Sequence, residues 1–336
     1  MAEVGAFASL AEAQLLTRTE DLTAGVVKEL VREGGILDKI PVKTLSGARQ
    51  IAYNRQNALP GGQFHAIADT WTPTQDLDFT QVNVSLVTFG DEKDYPDNQV
   101  RASYSGAGAN DLDAIVVQQT TEGLKNKIEN KIVYGSGTAP EMSGLYSLAT
   151  SNQTQNAGSG STGAAATVTL LNRMMDMVRP KADIILAPYR LAQRVDQLQQ
   201  GVNAAPLIYM PVPGDKGLKM SPMASFYRGV ELIRSDYMAT AETGALQETI
   251  ASGTYSAETG GSSGSFVGIH FGIPENGQVG GVFLLIAGSL FDVEGPNPQK
   301  GKDAPWMRIT CYLNLGLAGT RGLGVLDGCT DAAITA

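Results

Sequence analysis

Two stretches of alternating polar and apolar residues, separated by a long polar segment, constrain the fold of this chain most. The first is ARQIAYNRQ (residues 48–56) and the second is FTQVNVSLVTFG (residues 79–90). Alternation of this kind is typical of strands with one buried face. Positions 57–76 are rich in proline, glycine and polar residues, which predicts one long hairpin over residues 45–90. Two strands that pair only with each other are marginally stable in water, so another surface must cover this hairpin.

The predicted hairpin is also lopsided in charge. Residues 56–92 contain no lysine or arginine. The carboxylates in this range are Asp69, Asp76, Asp78, Asp91 and Glu92. An acidic projecting ribbon favours a basic partner surface, such as one on a neighbouring copy of the chain. A solvated loop would carry the same composition and is the alternative.

Residues 110–134 carry the clearest helical pattern in the sequence. Asn110 or Asp111 provides the N-cap, and a helix of this length spans about 37 Å. Gly123 within it is unfavourable by about 1 kcal/mol relative to alanine, so packing on a sheet must hold the middle of the helix. Gly135 follows as the expected left-handed cap. The predicted buried stripe consists of Val117, Thr121, Leu124, Ile128 and Ile132.

The second half of the chain mixes helices with strands, so the predicted fold class is α+β. The segments TVTLLNRMMDMVR and YRLAQRVDQLQQG are predicted helices, the second closed by Gly201. Strands are predicted at ADIILAP, RGVELIRSDYM, SFVGIHFG, GGVFLLIAGSLFDV and PWMRITCYLNLGLA. The segment EGPNPQKGKDA (residues 294–304) is predicted to be a turn-rich loop with Lys300 and Lys302 at its tip. Polar residues 239–264 are predicted to be an exposed insertion.

Charge and composition exclude several classes of protein. The net charge is −9 and no tract of lysine and arginine occurs, which argues against a nucleic-acid reader. No window approaches the roughly 18 apolar residues of a membrane span, and the first residues lack the pattern of a secretory signal. Cys311 and Cys329 are too few for a disulfide framework, so a reducing compartment is expected.

The sequence shows no constellation of residues for catalysis, metal binding or cofactor binding. The G-x-G-x-x-G spacing from Gly158 to Gly163 follows a polar segment rather than a strand, so a phosphate-binding loop is not expected. His65 and His270 have no metal-ligand spacing, and Cys311 lies in an apolar strand. We therefore predict no catalytic residue, metal or cofactor. Scattered carboxylates leave a soluble α+β enzyme open as an alternative.

The order of these elements resembles that of the major capsid proteins of tailed bacteriophages. The motifs that carry the resemblance are YGSG, SGL, IILAPYRLAQRVDQL, RGVELIRSDYM and YLNLGLAGTRGLGVLDG. The family has the Hong Kong ninety-seven type capsid fold, in which an extended loop reaches across an adjacent subunit and a long spine helix supports a peripheral domain. The implied domains are an N-terminal arm at 1–44, an extended hairpin loop at 45–90, a peripheral domain at 91–182 and 291–325, and an axial domain at 183–290 and 326–336.

The resemblance also assigns residues to structure and assembly. Some pack the spine helix on its sheet, others form the glycine turn that follows the helix, and two lie in a basic loop near the local three-fold axes. These residues are Val117, Leu124, Ile128, Ile132, Gly135, Gly137, Gly144, Leu145, Lys300 and Lys302.

The implied function is self-assembly. Pentamers and hexamers of the chain would form an icosahedral shell around a double-stranded DNA genome, assembled in the cytoplasm of a bacterial host. Because the arm begins only about 40 residues before the hairpin, a separate scaffolding protein is expected, together with a portal protein and only weak, non-specific contact with DNA. The alternatives are an encapsulin-type nanocompartment, the soluble enzyme named above, and a tail-tube or decoration protein, against which the long helix argues.

Overall fold

The computed structural model describes residues 32–58, 64–67, 78–95, 98, 112–158, 163–202, 225–238, 263–275 and 280–335. Several predicted features lie outside the described residues. These features are the arm as far as residue 31, most of the hairpin tip, the caps Asn110 and Asp111, the centre of the G-x-G-x-x-G segment, and nearly all of the insertion at 239–264.

The elements alternate along the chain as an α+β fold requires. The helices are α1 (Leu112–Tyr134), α2 (Leu145–Leu148), α3 (Val168–Met177) and α4 (Tyr189–Val202), with short 3-10 turns at Ser151–Gln153 and Thr320–Gly322. The strands are β1 (Val42–Leu45), β2 (Gln50–Ala58), β3 (Asp78–Ser85), β4 (Val87–Asp94), β5 (Thr154–Asn156), β6 (Ala164–Thr167), β7 (Ile184–Pro188), β8 (Ser225–Tyr227), β9 (Val230–Ser235), β10 (Ser263–Ile269), β11 (Val282–Ala287), β12 (Asp292–Pro298), β13 (Pro305–Leu317) and β14 (Leu323–Thr335).

Within the described residues, five strands form a first sheet built around β13. Strands β11 and β12 pair with β13 one after the other, from Val282 opposite Leu317 to Pro298 opposite Pro305. Strand β4 pairs with residues 306–313 of the same strand and therefore lies on its opposite edge. Strand β1 extends the sheet by pairing in parallel with β11.

Helix α1 lies on one face of this sheet, as predicted for residues 110–134. Leu124, Ile128 and Ile132 are buried there. Val117 is only half-buried, and Val116 is buried in its place. The prediction was off by one residue in the first turns. Along one row of the helix surface, the buried residues are spaced four apart, counted back from Ile132, and this spacing reaches Val116 rather than Val117.

Seven described strands form a second sheet in the order β5-β14-β10-β7-β9-β8, with β6 also paired to β14. Helices α3 and α4 pack on this sheet around a core that includes Met174, Leu191 and Phe266. A larger core joins the two sheets, since Val267 and Val325 of the second sheet belong to the same buried cluster as Ile132 of α1. One buried cluster of the described chain therefore spans both sheets.

Strands β2 and β3 form a two-stranded ribbon, with Ile51 opposite Val84 and Tyr53 opposite Val82. The predicted second arm, residues 79–90, is not one strand. It divides at Leu86 into β3, which belongs to the ribbon, and β4, which belongs to the first sheet. The alternation continues through the division because both strands have one buried face, so the sequence does not reveal the change of partner.

Two further predictions were wrong. Gly201 does not close the helix before it, because α4 continues to Val202. The first half of EGPNPQKGKDA is not a loop, because Glu294–Pro298 belong to β12, and only the remainder forms the turn to β13. Its prolines fit a strand because β12 lies at the edge of the sheet, where a missing backbone donor does not interrupt the ladder.

Candidate assembly surfaces

Helix α1 ends in a close crossing of two backbone segments at Gly135 and Gly144. The Gly144 amide donates to the Gly135 carbonyl (3.0 Å), and the Gly137 amide donates to the Met142 carbonyl (3.1 Å). A Cβ at position 144 would lie 2.8 Å from the Gly135 carbonyl oxygen and 2.9 Å from that of Val133. Glycine is therefore required here because backbone touches backbone.

Gly135 is not the left-handed cap that was predicted. Its amide donates to the carbonyl four residues earlier (2.8 Å), as in the helix itself. Gly137 has the left-handed conformation instead, with φ of 71°. Leu145 begins α2 and is completely buried, and the rings of Tyr134 and Tyr146 stack with centroids 5.3 Å apart. The turn is thus fixed to the core on both sides.

Asn314 on β13 joins this turn to the sheet and to the ribbon. Its side-chain oxygen accepts from the amides of Ser143 (2.9 Å) and Leu315 (2.8 Å). Its side-chain nitrogen donates to the carbonyl of Ser85, the last residue of β3 (2.6 Å). A buried amide that satisfies three backbone groups fixes the elements that carry them. We call the set Gly135, Gly137, Gly144, Leu145 and Asn314 the glycine hub.

Glu129 anchors the chain segment that leads into β1. It is 2% exposed, and its two carboxylate oxygens accept from the amides of Ile36 (3.0 Å) and Leu37 (3.1 Å). Burial raises the pKa of this carboxyl, and the two amide hydrogen bonds oppose the effect only in part. Gly35 passes so close that a Cβ would collide with the carboxylate.

Sequence reasoning missed both Asn314 and Glu129. Glu129 follows the polar helical sequence NKI and resembles a residue facing solvent. Asn314 has one visible signal, because it is the polar residue within the apolar run LNLGLA. A buried polar residue in such a run has to find partners, and this reasoning could have singled it out.

The base of the ribbon is attached to its own subunit. The Tyr53 hydroxyl donates to the Leu317 carbonyl (2.8 Å), and Arg55 donates to the carbonyls of Leu317 (2.7 Å) and Ala318 (3.0 Å). Val84 is buried in a cluster with Phe283 of β11. The predicted inward face of the hairpin is confirmed here, and the surface that covers its base belongs to the same chain.

The far end of the ribbon lacks such cover. Phe64 and Ile67, in the described part of the tip, are fully exposed. Phe79, on the last part of the ribbon before the tip, is 55% exposed. Large apolar side chains that stand free on a projection are typical of surfaces that bind another protein.

The two lysines of the predicted basic loop differ in their surroundings. The Lys302 ammonium lies 3.1 Å from the Asp94 carboxylate of β4, so an acidic neighbour within the sheet partly neutralises it. Lys300 is exposed at the turn between β12 and β13. The pair does not form one basic site, and Lys300 is the lysine that is free to meet a partner.

Metal-ligating side chains do not cluster within the described residues. No group of three or more His, Cys, Asp or Glu among them could hold a metal ion. Cys311 and Cys329 are buried and do not form a disulfide. Burial raises the pKa of the Cys311 thiol to about 11, which makes it a poor nucleophile. In the same part of the chain, no helix is long and apolar enough to cross a membrane.

Comparison with known families decides which class of protein has this arrangement. Residues 16–260 match the model of the Phage capsid family, which is well over half of the chain. The chain belongs to the phage capsid family. No curated protein sequence matches it.

Solved structures share the fold of this capsid-family chain at low sequence identity. For the SrpI encapsulin of Synechococcus elongatus, in a holo complex, the TM-score is 0.64 at 16% identity, with 98% of this chain and 99% of that chain covered. For the capsid of an empty GTA particle, the TM-score is 0.59 at 9% identity, with 90% of this chain and 99% of that chain covered. For the capsid of Myoviridae phage XM1, the TM-score is 0.53 at 12% identity, with 92% of this chain and 96% of that chain covered.

These findings confirm the predicted fold class, an α+β capsid fold of the Hong Kong ninety-seven type. The chain is a structural major capsid protein whose place is the virion capsid. The boundaries of the arm, loop and domains stay predictions. So do the roles in assembly assigned to the spine stripe, the glycine turn, Lys300 and Lys302.

Proposed function

We propose that this capsid protein assembles as pentamers and hexamers into a closed icosahedral shell around a double-stranded DNA genome. The observation that carries the proposal is the ribbon. Its base is attached to its own sheet, whereas Phe64 and Ile67 at its tip are fully exposed. A projection that buries its base and exposes apolar side chains at its end is suited to cover a neighbouring copy.

The same proposal includes partners. A separate scaffolding protein directs the curvature of the shell, and a portal protein occupies one vertex. Contact with packaged DNA is weak and non-specific, since the chain carries a net charge of −9 and no basic tract. Assembly takes place in the cytoplasm of the bacterial host, and the completed shell becomes part of the virion.

Expression of the chain followed by size-exclusion chromatography and negative-stain microscopy tests the proposal. We expect capsomers and closed shells. A monodisperse monomer under all conditions of salt and concentration, with or without a co-expressed scaffolding protein, would overturn it.

A second candidate function is that of a nanocompartment shell. The observation in its favour is the likeness to the SrpI encapsulin across 98% of this chain and 99% of that chain. The contents of purified particles decide between the two candidates. Nuclease-protected DNA of defined length supports the phage shell, and a single co-purifying protein cargo supports the nanocompartment.

A further inference from the structure

A cavity of about 210 Å³ lies where the end of helix α1, strands β4 and β13, and the turn after the helix meet. All four elements contribute apolar side chains to it. These residues are Val87, Phe89, Ile128, Pro140, Met142 and Leu313. Because the turn of the glycine hub forms one of its walls, we call this cavity the hub pocket.

Backbone hydrogen bonds hold the walls of the hub pocket in place. Val87 of β4 lies opposite Leu313 in the ladder between β4 and β13. Met142 belongs to the turn, and its carbonyl accepts from the Gly137 amide (3.1 Å). Sites for small molecules are usually formed before the ligand arrives. The hub pocket meets that condition, since a strand ladder, a helix and a paired turn carry its lining.

The two charged side chains that line the pocket pair with each other. Lys131 of α1 and Glu141 of the turn form an ion pair, and the Ser136 amide also donates to the Glu141 carboxylate (3.3 Å). The hydrogen bond from Lys131 holds the pKa of Glu141 below its ordinary value, so the carboxylate stays charged beside the ammonium. A charged ligand would have to displace one member of this pair, and the pocket therefore favours an uncharged one.

Water is a poor occupant of the hub pocket. A buried water molecule makes about three hydrogen bonds to polar groups. Of the described residues that line the pocket, only Lys131 and Glu141 have polar side chains, and these already bind each other. A cavity of about 150 Å³ lined by leucine, isoleucine and phenylalanine stays dry and binds benzene. The hub pocket has a similar lining and is somewhat larger.

Phe89 gives the pocket an aromatic wall. The Cys311 thiol donates to the Phe89 carbonyl (3.2 Å), and the Lys127 ammonium lies 5.6 Å from the centre of the Phe89 ring. Both the backbone and the ring of this residue are thus in contact with neighbouring elements. Pairs of aromatic rings in offset or edge-to-face contact gain free energy beyond the area they bury. The lining therefore favours an aromatic ligand over an aliphatic one of equal size.

We propose that the hub pocket is a binding site for small aromatic hydrocarbons, from benzene to a benzene ring with a short alkyl substituent. A ligand of this class touches the helix, both strands and the turn at once, so it stabilises the glycine hub within a single subunit. The site goes beyond the shell function proposed above and does not depend on it, because one chain supplies the whole described lining.

The first test measures thermal unfolding of the full chain in buffer saturated with toluene and in plain buffer. We expect toluene to raise the midpoint by about 2 °C or more, because it binds the folded chain. Val87→Phe puts a larger ring into the pocket and should abolish the rise. The matched control is Val293→Phe, the same substitution on an exposed part of β12 outside the lining, which should keep the rise. No rise with wild type, or an equal rise with Val87→Phe, would overturn the proposal.

The second test observes the pocket directly and still decides if Val87→Phe fails to fold. Methionine methyl groups labelled with carbon-13 give separate NMR signals, and Met142→Leu, a substitution that conserves volume, identifies the signal of Met142. Toluene should shift this signal, since Met142 lines the pocket. It should leave the signal of Met174 unchanged, because Met174 is buried in the core of the second sheet. An unmoved Met142 signal, or an equal shift at Met174, would contradict binding at the hub pocket.

A third comparison tests the chemical class of the ligand. Phenol has the shape of toluene with a hydroxyl in place of the methyl group. It should bind roughly tenfold more weakly, since a buried hydroxyl without a hydrogen-bond partner is unfavourable. Phenol that bound as tightly as toluene would show a polar site and would overturn the assignment to hydrocarbons.

The remaining alternative is that an apolar side chain of a neighbouring copy occupies the pocket in the shell. The NMR measurement on the free chain and the thermal measurement on assembled shells separate the two occupants. We expect toluene to act on both. Binding to the free chain that is lost in shells would show that a neighbour fills the pocket, and the small-molecule site would then be rejected.

Discussion

The glycine hub and the ribbon lie next to each other on β13 and differ in how far a single subunit satisfies them. At the hub, backbone groups of Gly135, Gly137 and Gly144 pair within the turn, and Leu145 is completely buried. The ribbon is paired at its base through Tyr53. Towards its tip, Phe64, Ile67 and Phe79 are exposed.

This contrast distinguishes residues that stabilise the single subunit from residues that we expect to act in contacts between subunits. The hub stabilises the fold of a single subunit, so a substitution there should change the stability of the subunit before it assembles. Phe64 and Ile67 are fully exposed in the subunit, so we expect them to add little to its stability and to act in contacts between subunits. A substitution at the hub should therefore alter the free energy of unfolding, whereas one at the tip should alter the yield of shells.

The largest effect should come from Gly144→Ala. The added methyl group would lie 2.8 Å from the Gly135 carbonyl oxygen and closer still to the Gly135 amide. Rigid backbone on both sides cannot yield without breaking the hub, so we expect a loss of about 4 kcal/mol or more in the free energy of unfolding. Urea unfolding of the unassembled subunit measures it. A loss below about 1 kcal/mol would mean that the crossing is flexible and that the contrast with the ribbon is weaker than described.

The hub also shows how far the sequence could predict this site. Glycines at 135, 137 and 144 were visible as a turn after a long helix, and the turn is there. Their reasons were not visible, because a glycine required for close approach and one required for positive φ look alike in a sequence. Gly135 was therefore assigned the conformation that Gly137 has.

Features that depend on distant partners were beyond prediction for a different reason. Leu86 divides two strands of different sheets within one unbroken alternation, and only the unpaired edge of β13 determines where the chain changes partner. Arg179 and Arg321 are far apart in the chain and meet through one backbone hydrogen bond. The helix and the α+β class follow from local patterns and were predicted correctly. Of the predicted hairpin, the pairing of β2 with β3 is confirmed, but the second arm changes partner after Leu86.

The second effect concerns Glu129, which is as well satisfied as the hub. Glu129→Ala would leave the buried amides of Ile36 and Leu37 without acceptors. We expect a loss of about 2–4 kcal/mol, from two unsatisfied donors. Gln119→Ala, on an exposed position of the same helix, should change the free energy of unfolding by less than about 0.5 kcal/mol. Equal effects of both variants would contradict the assigned anchor.

The same carboxyl gives a dependence on pH. Burial raises its pKa in the folded chain above the ordinary value of 4.5. The folded state thus binds this proton more tightly than the unfolded state. The stability that the protonated Glu129 contributes is therefore complete below pH 4.5, and it is lost as the pH rises through the raised pKa. The unfolding free energy of wild type minus that of Glu129→Gln should therefore fall with rising pH across this window. A flat or rising difference would contradict the burial argument.

The next prediction compares the base of the ribbon with its tip. Tyr53→Phe removes the hydroxyl that donates to the Leu317 carbonyl, while Arg55 still donates to that oxygen, so the subunit should lose only about 1 kcal/mol. Phe64→Ser with Ile67→Ser should change subunit stability by less than about 0.5 kcal/mol, because both side chains are exposed, yet should strongly reduce shell yield. Unfolding in urea and particle counts by microscopy, run on both variants, measure the two effects. A tip variant that destabilises the free subunit would remove the distinction between base and tip.

The smallest effect, and the one of opposite sign, should come from Gly123→Ala in the middle of α1. A Cβ at this position would meet nothing within 4 Å, and the residue does not have positive φ. Alanine should therefore raise the free energy of unfolding by about 0.5–1 kcal/mol through lower chain entropy in the unfolded state. Urea unfolding measures the sign of this change. Gly144→Ala, the same substitution at a position where backbone atoms block the added Cβ, should change the free energy of unfolding in the opposite direction. If the stabilised variant failed to form shells, the open space beside Gly123 would be filled by a neighbouring subunit, and this face of the helix would join the ribbon tip as a surface reserved for assembly.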